Sequence, residues 1–373
     1  MRDWEISRKF TVIFVCVIVV ALSVLFCIGK KKEFSEQENR FLSSFPEFTW
    51  ERLAEGEYTS EIGDYVADHF PFRDFFVGVK TGFEKVIGKK EVNNVYLAED
   101  GYLIEKYKEP ENTERIIRTF RNLKEKVEAN VYLMLVPTAS VIYSEKLPKG
   151  APIKSQVDTM SKIYEESGCI PIQVLDALKL MRNEEKPLFY HTDHHWTTHG
   201  AYLAYQEFCA KLGFEPVAGL EEKVVSEDFK GTIYSKVNDY TRKGDQIVIF
   251  ENPMQQLTVY YTDTGETTDS LYNYEYLGKK DQYSFFLNNI HPLVEITNQA
   301  ASLDRELVLI KDSYANCMVP FLVNHYKKIY VVDTRYYKES VSELINQNLA
   351  NTDVLLLYNM NTMDTDLGIG GIY

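Results

Sequence analysis

The chain has 373 residues, 45% of them hydrophobic, and is rich in tyrosine (26) and phenylalanine (21). That is enough for one large core with additions and too much for a bare binding module. A net charge of −14 is a poor match to a phosphate backbone, so no nucleic-acid partner is expected.

Phe10 to Gly29 is a nearly unbroken apolar run, and about 20 apolar residues suffice to span a bilayer. A cleaved signal peptide has an apolar region of about 7–15 residues followed by a small-x-small site. This run is longer and no such site follows, while Phe26 before Cys27 does not suit a lipoprotein signal. The expectation is a short tail over residues 1–9 and an uncleaved single-pass anchor over residues 10–29. Arg2, Arg8 and Lys9 on one side balance Lys30, Lys31 and Lys32 on the other, so basic residues set no orientation.

Residues 30–90 read as a helical leader, a strut between membrane and domain. Tyr58 to Lys85 has apolar spacing near the helical period, broken at His69-Phe70-Pro71-Phe72-Arg73. From residue 91 to residue 373 the pattern is that of one α/β domain. Asn94 to Ile104 is a hairpin around Glu99-Asp100-Gly101. Asn112 to Glu128 is an amphipathic helix. Val131 to Pro137 is a buried-type strand. Helix Val157 to Ser167, strand Ile170 to Val174 and helix Ala177 to Asn183 follow, then helix Thr198 to Leu212 with Gly213 as its stop. Residues 221–297 alternate, are rich in Tyr, Asp and Thr, and read as a mainly β insertion. Strand Leu307–Ile310, helix Ala315–His325, strand Lys328–Val332, helix Lys338–Asn348 and strand Asp353–Leu357 close the domain. Strands alternating with helices predict a largely parallel sheet. Cys169, Cys209 and Cys317 are scattered and odd in number; one disulfide among them and three buried thiols are both open, with thiols favoured.

Four of the seven histidines fall in Tyr190-His191-Thr192-Asp193-His194-His195-Trp196-Thr197-Thr198-His199-Gly200. In an extended segment residues two apart point to one side, so Asp193 can orient His195, which can act as a proton acceptor. A nucleophile is supplied by Ser313, in Lys311-Asp312-Ser313-Tyr314 at the end of an apolar strand. There it lies beyond the carboxyl edge of the sheet, where open α/β sheets place ligands, at the start of a helix whose free N–H groups could hold an oxyanion. Taken locally, an Asp that caps a loop, a core histidine and a serine that caps a helix explain the same letters. His191, Asp193, His194, His195 and His199 are also metal-ligand types, but no His-Glu-x-x-His is present and no second cluster completes a site. No metal and no cofactor is expected.

Thr192-Asp193-His194-His195-Trp196-Thr197 with Gly200-Ala201-Tyr202 resembles the signature of the DHHW protein family. That family is similar to the alginate O-acetyltransferase-like branch of the SGNH hydrolases, whose motif is Asp-x-His-Trp. Glu38-Asn39-Arg40, Asp68-His69-Phe70-Pro71-Phe72-Arg73, Val136-Pro137 with Tyr143-Ser144-Glu145-Lys146-Leu147-Pro148, and Asp312-Ser313-Tyr314 fit the same pattern. The resemblance implies a flavodoxin-like αβα sandwich with permuted motif order and a Ser313–His195–Asp193 triad. It implies an extracytoplasmic domain at the cell membrane that transfers or removes O-acyl groups on a cell-surface polysaccharide. It also implies an acyl donor arriving through a multi-pass membrane partner. Asp312, Trp196 and His194 are the supporting residues, and Asn361, Asn359 and Tyr314 the oxyanion candidates. Two positions depart from the pattern: Lys311 replaces the Gly of Gly-Asp-Ser, and Asn359 that of Gly-x-Asn. A glycan-binding or export and assembly protein with a degenerate site is the alternative, its binding carried by the Tyr-rich stretch from Tyr234 to Tyr283.

Overall fold

The computed structural model describes residues 2–35, 40–252, 254–347, 351–363 and 366–372. Glu38 and Asn39 of the proposed Glu-Asn-Arg motif, and Asn348, lie outside the described residues. The chain forms two compact units, one of Met1–Lys89 with Val237–Tyr240, the other of Lys90–Lys236 with Thr241–Tyr373.

In the first unit a single helix runs from Arg2 to Ile28. No breaker separates the expected tail from the apolar run, so both join one helix. Within it Arg8–Ile28, with a mean hydropathy of 3.2, is long and apolar enough to cross a membrane. Three helices follow, Trp50–Ala54, Glu57–Asp68 and Arg73–Val86. The break between the last two falls at the expected Pro71 segment, where Phe72 takes a left-handed φ of 60°.

The second unit is built on an eight-stranded sheet. Its strands, in chain order, are β1 (Asn130–Val136), β2 (Ile170–Ile172), β3 (Leu257–Tyr261), β4 (Thr267–Thr268), β5 (Leu293–Asn298), β6 (Leu303–Lys311), β7 (Tyr326–Asp333) and β8 (Thr352–Asn359). The spatial order is β4-β3-β5-β7-β6-β8-β1-β2. The run from β7 to β2 is parallel, whereas β5, β3 and β4 pair antiparallel with their neighbours. Residues 257–298 therefore extend the main sheet, while Glu221–Phe229 and Asp245–Glu251 form a separate antiparallel ribbon.

The parallel strands are apolar on both faces because helices cover both. Val131, Leu133 and Leu135 of β1 pack with Ile116, Phe120 and Ile163 from helices Thr113–Lys126 and Val157–Glu166. Tyr132, Met134 and Val136 point the other way, into a core with Leu178, Ala204, Tyr205 and Phe208 from helices Leu175–Met181 and Thr198–Leu212. The hairpin forms as expected, with Val95–Leu97 paired to Leu103–Glu105 and Asp100 and Gly101 both at positive φ. Cys169, Cys209 and Cys317 are buried free thiols.

One expected helix is replaced. Ala315–His325 is instead a 3-10 turn, Ser313–Cys317, followed by a single α-turn, Val319–Leu322. Pro320 has no N–H to continue a ladder, and the Asn324 amide closes the turn by donating to the Pro320 and Phe321 carbonyls at 3.1 and 3.0 Å. Helix Lys338–Asn348 begins later, at Val341, and is described to Gln347.

Candidate active site

Ser313 follows β6 directly, where the connection to β7 leaves to one side and β8 returns on the other. This is a topological switch point at the carboxyl edge of the sheet. Asp312 fixes the turn. Its Oδ1 accepts from Tyr314 N at 2.9 Å, and its Oδ2 accepts from Asn359 N at 2.7 Å and from the Thr362 hydroxyl. The loop after β8 is thus pinned to the residue beside Ser313. Burial in this apolar setting pushes the Asp312 carboxyl up. Lys311, where the resemblance predicts glycine, is buried and pairs with Asp333 at 3.2 Å.

The histidine stretch is a tight loop held at both ends. Phe189 and Trp196 form an isolated antiparallel bridge, and Tyr190 N donates to the His195 carbonyl at 3.2 Å. Trp196 is fully buried, and its indole N–H donates to the Tyr314 carbonyl at 2.8 Å. The Tyr314 hydroxyl in turn donates to the His194 carbonyl. Thr197 caps the following helix, its hydroxyl accepting from Gly200 N at 3.3 Å. A Cβ at Gly200 would stand 2.4 Å from the Leu188 carbonyl oxygen, so only glycine admits this approach.

Between these anchors His195 Nε2 lies 2.7 Å from Ser313 Oγ, and His195 Nδ1 lies 2.5 Å from Asp193 Oδ1. The same carboxylate oxygen accepts from His195 N at 3.0 Å. Asp193 Oδ2 accepts from Thr232 N at 2.7 Å and from the Thr232 hydroxyl at 3.0 Å. Burial alone would raise the Asp193 carboxyl. The His194 and His195 rings and the bonds from His195 and Thr232 outweigh it and hold the group well below the usual carboxylate range. Burial, reinforced by the neighbouring His194, lowers His195 to about 4 against the pull of Asp193. A neutral imidazole with Nδ1–H on the carboxylate presents its Nε2 lone pair to the serine hydroxyl.

Of the supporting residues, His194 places Nδ1 2.7 Å from Thr232 Oγ1, with its ring 3.8 Å from that of His195. The oxyanion candidates separate. Tyr314 N–H is taken by Asp312. The Asn359 amide donates to the Val136 carbonyl at 3.1 Å and accepts from Asn361 N at 2.9 Å, so it is spent on the loop. Asn361 keeps its amide uncommitted, with Oδ1 buried and unpartnered among the described residues. The expected long helix dipole behind Ser313 is absent, because the 3-10 turn is five residues long.

Four neighbours carry no local signal in the sequence. Tyr283 stacks on His195 and donates to the Ser313 carbonyl at 3.0 Å. Thr232 and Gly231 close over Asp193. Asp245 accepts from His191 N at 2.8 Å, Thr192 N at 2.9 Å and the Thr192 hydroxyl at 2.6 Å, fixing the entry to the motif. All four come from the segment between the motif and Ser313.

Asp193, His194 and His195 bring ligand-type atoms within 4.8 Å of one another. Two of those atoms are already engaged, His195 Nδ1 by Asp193 and His194 Nδ1 by Thr232. A cavity of about 230 Å³ opens on the far side of the loop, between Lys186, His191, His199 and Asp245; neither Ser313 nor His195 lines it.

No curated protein matches the chain. Among solved structures it is similar to a DHHW family protein from Eubacterium siraeum, at 25% identity and a TM-score of 0.65 over 75% of this chain and 95% of that one. It is also similar to Bacillus cereus PatB1 with a sulfonyl adduct, at 21% identity and a TM-score of 0.60 over 75% of this chain and 98% of that one. A second PatB1 structure from Bacillus cereus matches at 20% identity and a TM-score of 0.57, over 71% of this chain and 95% of that one. The family model for the DHHW protein matches residues 111–332, a span that contains both the Asp193–Trp196 motif and Ser313. With more than half of its length matched, this chain is a member of the DHHW protein family.

Proposed function

We propose that this chain is a membrane-anchored O-acyltransferase or esterase that moves acyl, most simply acetyl, groups on a cell-surface polysaccharide. One observation carries the reading: His195 bridges Ser313 Oγ at 2.7 Å and Asp193 Oδ1 at 2.5 Å. That order of nucleophile, base and orienting carboxylate is the arrangement of acyl transfer through a serine ester. The acetyl and polysaccharide assignments rest on the resemblance of the motif, as do the extracytoplasmic location and the multi-pass partner that delivers the donor. Arg8–Ile28 is the anchor.

In the first half-reaction Ser313 Oγ attacks the acyl carbonyl carbon while its proton passes to His195 Nε2. The tetrahedral intermediate collapses, the donor oxygen or sulfur leaves with that proton, and the Ser313 ester remains. In the second half-reaction His195 takes the proton of a sugar hydroxyl, or of water, as that oxygen attacks the ester. Ser313 Oγ then leaves and recovers the proton. Asp193 stays ionised throughout and stabilises the imidazolium. Ser313 N–H, at the start of the 3-10 turn, and the Asn361 amide supply the oxyanion donors.

Intact mass after incubation with an activated acetyl ester tests this directly. The full chain gains one acetyl group on Ser313, and neither Ser313→Ala nor His195→Ala gains it. A chain with no adduct and no ester cleavage is instead a glycan-binding protein.

A further inference from the structure

Helix Arg73–Val86 is built inside out. At 100° per residue, Phe75, Phe76, Val79, Phe83 and Val86 fall within about 100° of one another, one continuous stripe. Their exposures are 61, 45, 51, 64 and 85%. The groups that hold the helix to its unit are polar. Thr81 is buried and donates to the Val237 carbonyl at 2.7 Å, and Lys85 pairs with Asp239 at 2.8 Å. Arg73 reaches Asp68 at 3.6 Å. Tyr240 covers Gly78 so closely that a Cβ there would stand 1.9 Å from its ring. A helix of a water-soluble domain turns its apolar stripe to the core and its polar face to solvent. Here Arg73, Thr81 and Lys85 are held by specific partners and the apolar stripe is left outward, which fixes the orientation of the helix and calls for an apolar cover.

The same compact unit says what the cover is. It contains Arg8–Ile28, the one helix among the described residues able to cross a bilayer. Helix Glu57–Asp68 is fastened to the end of that span. The Tyr65 ring lies 6.2 Å from Phe26, Lys31 Nζ sits 3.4 Å over the Phe26 ring, and His69 Nε2 is 3.1 Å from the Lys32 carbonyl. His69 is therefore held at the level where the span leaves the hydrocarbon. Arg73 is four residues on, a reach of at most about 14 Å. The headgroup layer on each side of the hydrocarbon is about 5–8 Å deep. The outward stripe thus begins within reach of the lipid surface, with exposed Phe70 and Phe72 in the connection.

We propose that helix Arg73–Val86 lies in the bilayer interface as a second membrane contact, with Phe75, Val79, Phe83 and Val86 among the upper acyl chains. Interfacial helices bind by such a one-sided apolar face. A span gives one point of attachment; an interfacial helix fixes the height and tilt of its unit at the surface. The inference takes Arg8–Ile28 as inserted and is independent of the chemistry at Ser313.

Quenching of tryptophan by lipids brominated along the acyl chain tests it. The full chain is reconstituted in phosphatidylcholine–phosphatidylglycerol vesicles, with Trp4 and Trp50 replaced by Phe. Trp196, fully buried in its own core, then serves as the unquenched background. Phe83→Trp reports on the stripe and Phe14→Trp on the span. Quenching at both positions, about twofold or more over the Trp196 background, is the expected result. Quenching at position 14 without any at position 83 overturns the interfacial helix and keeps the anchor, and a blue-shifted, unquenched signal at 83 identifies a protein cover instead. Quenching at 83 without any at 14 upholds the interfacial helix and rejects the inserted span. No quenching at either position overturns both.

Discussion

The ring of Tyr283 lies flat on the imidazole of His195, with 3.7 Å between centroids and 9° between planes, while its hydroxyl donates to the Ser313 carbonyl at 3.0 Å. One side chain thus holds both partners of the proposed proton transfer, and its ring covers one face of the imidazole. Tyr283→Phe keeps the ring and loses one hydrogen bond. It is expected to lower kcat/KM by about tenfold, with the pH profile unchanged. Tyr283→Leu loses the stack as well and is expected to cost about a hundredfold, with the acid limb moved toward neutral as His195 regains solvent. A kcat/KM profile against pH for both variants checks this; an unmoved limb in Tyr283→Leu reduces Tyr283 to a space filler.

The depressed basicity of His195 sets the pH dependence. In the proposed mechanism the group must be neutral to accept the Ser313 proton, and burial lowers it to about 4. Activity of the free enzyme is therefore expected to persist through pH 5 and to fall only near pH 4, rather than near the ordinary histidine value of about 6.5. Between about 4 and 6.5 the unfolded chain binds a proton that the folded chain does not, so stability rises with pH across that window and is lost on acidification, by up to about 3 kcal/mol. The lowered Asp193 carboxyl adds a loss in the same direction at still lower pH. After burial, the His194 ring is the next cause of the low His195 value, so His194→Gln is expected to shift the acid limb upward. Rate profiles and denaturant melts from pH 4 to 8 test both.

Gly231 is the tightest point around the carboxylate. A Cβ there would stand 2.2 Å from Asp193 Oδ2. Gly231→Ala must displace the carboxylate or the loop, and a misplaced orienting group costs rate more than binding. The expected outcome is a kcat reduced by about a hundredfold or more, with KM little changed, measured on a chromogenic acetyl ester.

Asp245 holds the motif without touching the chemistry. Asp245→Ala takes the acceptor from the Thr192 and His191 N–H groups and leaves the Thr192 hydroxyl only the Phe229 carbonyl, at 3.1 Å. Each orphaned buried donor costs about 1–3 kcal/mol. A loss of about 2–4 kcal/mol in unfolding free energy is expected by urea titration, with activity falling in parallel through the loosened loop.

Asn361 is the one side-chain oxyanion candidate left uncommitted. Asn361→Ala is expected to lower kcat by roughly 10²–10³-fold, as removal of a single oxyanion donor does elsewhere. Unchanged acylation kinetics by mass spectrometry would leave Ser313 N–H as the donor without it.

Much of this architecture is local and therefore readable from residue order. The apolar run Val131–Pro137, the amphipathic spacing of Asn112–Glu128 and the Asp100-Gly101 turn dictate a strand, a helix and a hairpin without reference to distant residues. The Asp193–His195 hydrogen bond is local as well, since an Asp-x-His spacing in an extended loop brings the two side chains together. Pro320 is equally visible, yet the weight of apolar residues around it suggests a helix that the missing N–H breaks. Only the tertiary structure decided the rest. The sheet carries Ser313 across 118 positions of sequence to His195, and it draws Thr232, Asp245 and Tyr283 from the intervening segment around the pair. A threonine, an aspartate and a tyrosine are ordinary surface or core residues until backbone pairing sets them opposite particular atoms. Their roles are fixed by strand order and register, which arise from burial summed over the whole domain and leave no mark at any one position.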